Sequence, residues 1–281
     1  MNKRKRATRS RPGTARLRRK RGIYLLPNLF TTGAMFAGFF AIISAIDGHF
    51  QAAAVAVFVA FVLDGLDGRV ARLTGTESEF GQEFDSLSDM ISFGLAPAII
   101  VHQWGMGVLG EAPWWWWTQL SWLIAFFFAV AAALRLARFN TRTETTDRRF
   151  FQGLPSPSAA ANVAGVAWVL SAFEFSGLWT VIPVYLLAVA SGALMVSSIS
   201  YYSFKDLDLT SGRVPFTYAI LIPMVFILIA LAPAQVLFSG FFLYLLSGPA
   251  LALWRRGRRR GGPRKGHEPA SGESGGEEGN G

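Results

Sequence analysis

Four aspartates, Asp64, Asp67, Asp85 and Asp89, stand in the stretch FVLDGLDGRVARLTGTESEFGQEFDSLSDMISFG, with apolar sequence on both sides. Spacings of three and four place side chains on one face of a helix. If the helices carrying the two pairs run antiparallel about the polar turn LTGTESEF, all four carboxylates converge. They cannot all stay ionised unaided, because like charge and loss of water both oppose it. A hard divalent cation resolves the conflict, since it takes oxygen ligands and can bridge to a phosphate. Four aspartates suffice for two such ions, the arrangement that clamps the attacking and leaving oxygens in phosphoryl transfer. The competing assignment is structural, an aspartate paired with Arg69 or Arg72. Gly65, Gly68 and Gly81 thin the same helices at a cost in helix stability, which suggests close approach of backbone to a ligand or a partner helix.

The elements that must position these residues are membrane helices. The chain has 281 residues, 52% hydrophobic and only 16% charged. Its apolar residues come in long runs such as TTGAMFAGFFAIISAI and TYAILIPMVFILIALAP. About 20 helical residues span the ~30 Å hydrocarbon layer, and helices satisfy their own backbone there. The runs predict eight helices, near 24–46, 51–72, 84–104, 114–138, 157–175, 178–199, 214–232 and 235–254. The expected fold is therefore an all-α polytopic bundle, with a basic N-terminal tail (1–22), a transmembrane catalytic domain (23–254) and a basic, then Gly-rich disordered tail (255–281).

Charge tests that count. All 27 Lys and Arg fall in the N-terminal tail, at Arg69 and Arg72, from Arg135 to Arg149, at Lys205 and Arg213, and from Arg255 to Lys265. The four alternate connections hold none. Basic residues collect on the cytoplasmic side of short-looped membrane proteins, so both termini and the aspartates are expected there. The first apolar run reads as an uncleaved helix rather than a signal peptide. The net charge of +9 sits in juxtamembrane tails, where anionic lipid headgroups explain it without nucleic acid. The tryptophans of PWWWW (113–117) suit an interfacial anchor on the opposite side. With no cysteine, thiolate metal sites and nucleophiles are excluded. None of His49, His102 and His267 stands in a His-x-Lys pattern, which leaves a phosphohistidine route without a candidate.

Asp64-x-x-Asp67-Gly68-x-x-Ala71-Arg72, then eight residues, then Gly81-x-x-x-Asp85-x-x-x-Asp89, resembles the signature of the CDP-alcohol phosphatidyltransferases at every fixed position. The resemblance implies a six-helix catalytic core, usually dimeric. Such a core moves a phosphatidyl group from CDP-diacylglycerol to an alcohol and releases CMP, with a divalent metal, Mg²⁺ or Mn²⁺, as two ions. It also implies that Asp64, Asp67 and Asp85 bind metal, and that Asp89 faces the metals and is the proposed base. Gly68 and Arg72 fall at positions that hold the donor; Asp64, Ala71 and Gly81, fixed in the same signature, join them. Asn28 and Thr31, one turn apart at the mouth of the first helix, stand where relatives contact the donor; capping the helix start is the alternative. Ser78, in the polar turn, is a further donor-contact candidate. Arg72 suits this chemistry on its own terms, since a guanidinium fork matches phosphate oxygens.

The segments YLLPNLFTT, ALRLARFN, FQGLPSPS and SSISYYSFKDLDL are similar to the membrane-embedded phosphatidylserine synthases of that family. L-serine as acceptor and a bacterial inner-membrane location are then expected. Arg135 and Arg138, with Asn140, could take the carboxylate of serine, or they could be ordinary positive-inside charge. An acceptor such as glycerol 3-phosphate or an inositol phosphate would keep the same chemistry. A cation transporter is the rival of another class. Transport sites tend to lie near the midplane between internal repeats, whereas these carboxylates cluster at one end and have no second copy.

Overall fold

The computed structural model describes residues 25–109, 115–141, 150–175, 177–202 and 216–260. The expected basic N-terminal tail, Arg142, Arg148, Arg149, Lys205, Arg213, His267, the Gly-rich tail from 261 and the start of the tryptophan cluster (113–114) lie outside the described residues. The chain forms a polytopic helical bundle. Its helices are α1 (Leu25–Ile46), α2 (Phe50–Thr74), α3 (Glu79–Asp89), a π-helical segment (Met90–Leu95) leading into α4 (Ala96–Leu109), and α5 (Trp115–Asn140). They continue with α6 (Ser156–Ala172), α7 (Leu178–Val196), α8 (Phe216–Leu231) and α9 (Pro233–Arg260). With α3 and α4 as one continuous rod, eight rods stand near the expected positions. Among the described residues, six are long and apolar enough to cross a membrane. The other two, α6 with 17 residues and α8 with 16, are shorter.

Three boundaries differ clearly from expectation: the third rod ends at Leu109 rather than near 104, and two others differ for local reasons. The third rod starts at Glu79 rather than near 84 because Ser78 caps it: the Gly81 amide donates to Ser78 Oγ at 3.1 Å, satisfying one of the free first-turn donors. The last rod continues six residues beyond Trp254, to Arg260, since arginine is a good helix former and positive charge suits a helix C-terminus. The π-helical step has a cause in the sequence as well. Pro97 has no N–H and crowds the preceding turn of a regular helix; here the Ala96 amide bonds back five residues, to Ile91 O.

The core is built around α6, where Ser158, Ala159, Ala160, Val163, Ala164 and Ala167 are all buried. Small residues let neighbouring backbones approach closely, which is how helices associate where lipid offers no hydrophobic drive. Helix α6 packs against α2, α7 and α9, and Asn162 ties it to α9 by donating to Phe241 O at 3.1 Å. Helix α1 lies along α2, and α5 along α7 and α4.

Two short strands, β1 (Phe150–Gln152) and β2 (Ser200–Tyr202), pair antiparallel with Phe151 opposite Tyr201. This ribbon docks on the bundle through Gly153, whose φ is +83°. The Gly153 amide donates to Ile199 O at 2.8 Å, and a Cβ there would run into the Met195 carbonyl oxygen. Tyr201 is fully buried and donates to Leu245 O at 3.0 Å. Burial, then the neighbouring Tyr244, pushes the Tyr201 phenol up to about 12, so it stays a donor. Gly153→Ala is expected to cost about 1–3 kcal/mol for the left-handed backbone alone, read as a lower unfolding midpoint in detergent micelles.

Candidate active site

The turn between α2 and α3 closes in four residues. Helix α2 ends on Gly75, in the left-handed conformation at φ 60°, and Thr76 N–H returns to Ala71 O at 3.1 Å. Ser78 then opens α3. The turn brings Asp64 and Asp67 of α2 within reach of Asp85 of α3, while α1 packs on both helices.

Three carboxylates meet there. Oxygens of Asp64, Asp67 and Asp85 lie within 4.8 Å of one another. Asp64 is also within side-chain hydrogen-bonding range of Asp85 and Asp89, so all four aspartates face one locus. Asp85 Oδ1 is buried with no hydrogen-bond partner. Arg69 and Arg72 are exposed, while the carboxylates turn toward each other. An all-oxygen set with an orphaned buried acceptor fits a hard divalent cation. Asp64, Asp67 and Asp85, with Asp89 beside them, are the residues that would hold it.

Helix α1 forms the third wall. Thr31 is buried, and its hydroxyl donates to Asp67 Oδ2 at 2.8 Å. Ser88 Oγ donates to Thr31 O at 3.1 Å, and one turn on, Ser92 Oγ donates to Ala34 O at 3.0 Å. Gly38 permits this approach, since a Cβ there would stand 2.7 Å from Ser92 Cα. Thr31 lies well inside α1 and does not cap it. Ser88 and Ser92 were not anticipated from the sequence. Their signal was a pair of small hydroxyl residues four apart in a membrane helix, a common inter-helix glue.

Beside the carboxylates opens a cavity of about 140 Å³. Asn28, Thr31, Gly68, Ala71, Arg72, Ser78 and Gly81 all line it, together with Asp67 and Asp85. Nothing lies within 4 Å of a Cβ built at Gly65 or Gly68. These two glycines therefore make room for open space and not for a packed helix. A second hollow, a groove of about 890 Å³ along α1 and α2, begins at Gly33 and Leu63 and ends at Gly48 and His49. Phe36, Phe40, Val55 and Val59 make it apolar.

The three residues considered for an acceptor have different hydrogen-bond partners. Arg135 interacts electrostatically with Asp89 and Asp64, and it donates to Ser156 Oγ at 2.6 Å. Arg138, one turn on, points to the ribbon instead, donating to Gln152 Oε1 at 3.0 Å. Asn140 donates to Ser86 Oγ at 3.0 Å. Ser156 was present in FQGLPSPS but not singled out; nothing in its spacing shows that it faces Arg135 across 21 positions.

A carboxylate cluster thus adjoins a cavity lined by glycine and arginine in a polytopic helical bundle. The chain belongs to the CDP-alcohol phosphatidyltransferase family, whose profile matches residues 24–245. Among curated proteins it is 37% identical over 229 residues to a CDP-diacylglycerol–serine O-phosphatidyltransferase of Helicobacter pylori, covering 80% of this chain and 90% of that one. A Mycobacterium leprae protein of the same name is 36% identical over 61% of this chain and 54% of its own. An archaetidylserine synthase of Methanothermobacter thermautotrophicus is 34% identical over 63% of this chain and 69% of its own. The chain is thus a multi-pass membrane transferase of phospholipid biosynthesis.

Because nothing packs on Gly68, Gly68→Ala should fold as well as the parent, or up to about 1 kcal/mol better from helix propensity. Thermal unfolding in micelles checks this, and a clear loss of stability would show that the position is packed.

Proposed function

We propose that the protein transfers the phosphatidyl group of CDP-diacylglycerol to the hydroxyl of L-serine, giving phosphatidylserine and CMP. The convergence of three carboxylates, Asp64, Asp67 and Asp85, with Asp89 beside Asp64, next to a glycine- and arginine-lined cavity carries the reaction class. Serine as acceptor is supported by the names of the relatives, of which the Helicobacter pylori protein is matched over nearly its whole length.

In this reading Asn28, Gly68, Ala71, Arg72, Ser78 and Gly81 bind the nucleotide end of the donor. The absent side chains at Gly65 and Gly68 let the donor approach the α2 backbone. Arg72 presents its fork to the diphosphate. The apolar groove from Leu63 and Gly33 suits an acyl chain, since it begins beside Asp64 and Thr31 and runs away along the helices. Asp64, Asp67, Asp85 and Asp89 would hold two divalent ions, Mg²⁺ or Mn²⁺, which would supply charge neutralisation to the diphosphate and to the CMP leaving group.

Asp89 accepts the proton of the serine hydroxyl as that oxygen attacks the phosphorus bearing the diacylglycerol. The bond from that phosphorus to the bridging oxygen breaks, and the bridging oxygen leaves with CMP. Arg135, facing Asp89 and held by Ser156, is the side chain best placed for the serine carboxylate. Arg138 and Asn140 shape the floor behind it through Gln152 and Ser86. Positioning and charge stabilisation supply most of the rate. The distribution of basic residues supports a cytoplasmic site and cytoplasmic termini in a bacterial inner membrane, with the catalytic domain over 23–254. A homodimer is expected from the family resemblance.

The test is purified protein in micelles with CDP-diacylglycerol, Mn²⁺ or Mg²⁺ and a panel of alcohols, reading CMP release and lipid product. Phosphatidylserine is expected; product from glycerol 3-phosphate and none from serine would overturn the acceptor. Asp89→Asn should lower kcat by about 10²–10⁴-fold, the usual contribution of a positioned base, while the donor still binds. Near-normal turnover would remove Asp89 from that role.

A further inference from the structure

We infer that Thr31 is a positioning residue: it sets the orientation of the metal-holding carboxylate Asp67. The inference deepens the proposed metal site and rests on it.

The geometry is specific. The Thr31 hydroxyl has one proton, and the acceptor at 2.8 Å is Asp67 Oδ2; the intrahelical alternative, Pro27 O, is longer at 3.2 Å. Both side chains are buried, with Thr31 4% and Asp67 5% exposed. A carboxylate oxygen that accepts a fixed hydrogen bond keeps one orientation, which leaves its other oxygen for an ion. Asp67 is the aspartate of the quartet for which such a bond to a hydroxyl is found among the described residues.

Thr31 is itself fixed from the opposite helix. Its carbonyl accepts from Ser88 Oγ at 3.1 Å, and Ser88 is the residue before Asp89. One residue on α1 thus touches both carboxylate helices, through its side chain to α2 and through its backbone to α3. That joint sets the separation of the Asp64/Asp67 pair from the Asp85/Asp89 pair. The Ser92 bond to Ala34 O and the bare Gly38 repeat the α1–α3 contact one and two turns deeper.

The test compares Thr31→Val, which keeps shape and loses the hydroxyl, with Thr31→Ser, which restores it. Mn²⁺ affinity is read directly from the electron paramagnetic resonance of free Mn²⁺ over the purified protein in micelles, without substrate. The KM for CDP-diacylglycerol is read at saturating metal. Thr31→Val should weaken Mn²⁺ binding by about 10–100-fold, the usual cost of losing an outer-shell partner. Thr31→Ser should stay within about 3-fold of the parent, since the same hydroxyl donor returns. The KM at saturating metal should hardly move in either variant. A folded Thr31→Val with parental Mn²⁺ affinity overturns the inference, and a raised KM with unchanged metal affinity makes Thr31 a donor contact instead. If Thr31→Val does not fold, Thr31→Cys, of similar size and a weaker donor, replaces it and parental affinity there overturns the inference equally. A parent protein that binds no Mn²⁺ refutes the metal site itself, a distinct outcome.

Discussion

Like charge gathered out of bulk water is the constraint on which this structure depends. Four carboxylates at the end of two membrane helices repel one another and lose hydration together. No arrangement of that kind is favourable unless positive charge comes with it. Arg135 supplies part from α5, and the geometry of Asp64, Asp67 and Asp85 leaves space among their oxygens for the rest. A chain meant only to be a stable bundle would place alanine or leucine at these positions. The electrostatic conflict is therefore the reason to read the site as functional, ahead of any family likeness.

The rest of the bundle reads as the means of holding that conflict in place. The four-residue turn at Gly75–Ser78 joins α2 to α3 through a left-handed cap and a serine cap, and α1 packs on both. Helix α1 closes the third side through Thr31, Ser88 and Ser92, all buried, so their hydrogen bonds are shielded from competing water. The π-helical segment begins directly after Asp89. Such segments concentrate at functional sites; beyond this one, α4 packs among α1, α5 and α7. On the far side, the ribbon of β1 and β2 and the buried Tyr201 lock the loops that bring Ser156 and Gln152 against Arg135 and Arg138. Glycine is used in two opposite senses. At Gly38 and Gly153 the space is filled by a neighbour's backbone, whereas at Gly65 and Gly68 it is left open.

Much of this was legible in the sequence, for definite reasons. Apolar run length against bilayer thickness located most helix ends closely, though the rods expected at 84–104 and 235–254 run on to Glu79–Leu109 and to Arg260, and among the described residues six have the length and composition to cross alone. Spacings of three and four put each aspartate pair on one face, and the short polar turn made the pairs meet. What escaped were contacts that depend on how helices rotate against each other. Periodicity tells that Arg135 and Arg138 share a helix face, but not that they diverge to Ser156 and Gln152. Thr31 was legible as a residue of the site, yet the Asp67 bond spans 36 positions and leaves no local trace. The ribbon was missed because strands of three residues fall below any pattern. The π-helical step was missed because Pro97 alone does not say how the helix relieves it.

The most direct test asks whether the carboxylates, a divalent ion and the diphosphate occupy one place. Phosphorus electron–nuclear double resonance on the protein loaded with Mn²⁺ and CDP-diacylglycerol, without acceptor, reports whether phosphorus sits within a few bonds of the bound ion. A resolved phosphorus coupling is expected, and it should vanish with the ion in the Asp67→Asn, Asp85→Asn double variant. Bound Mn²⁺ with no phosphorus coupling, or a coupling that survives both substitutions, would contradict the arrangement described for this site.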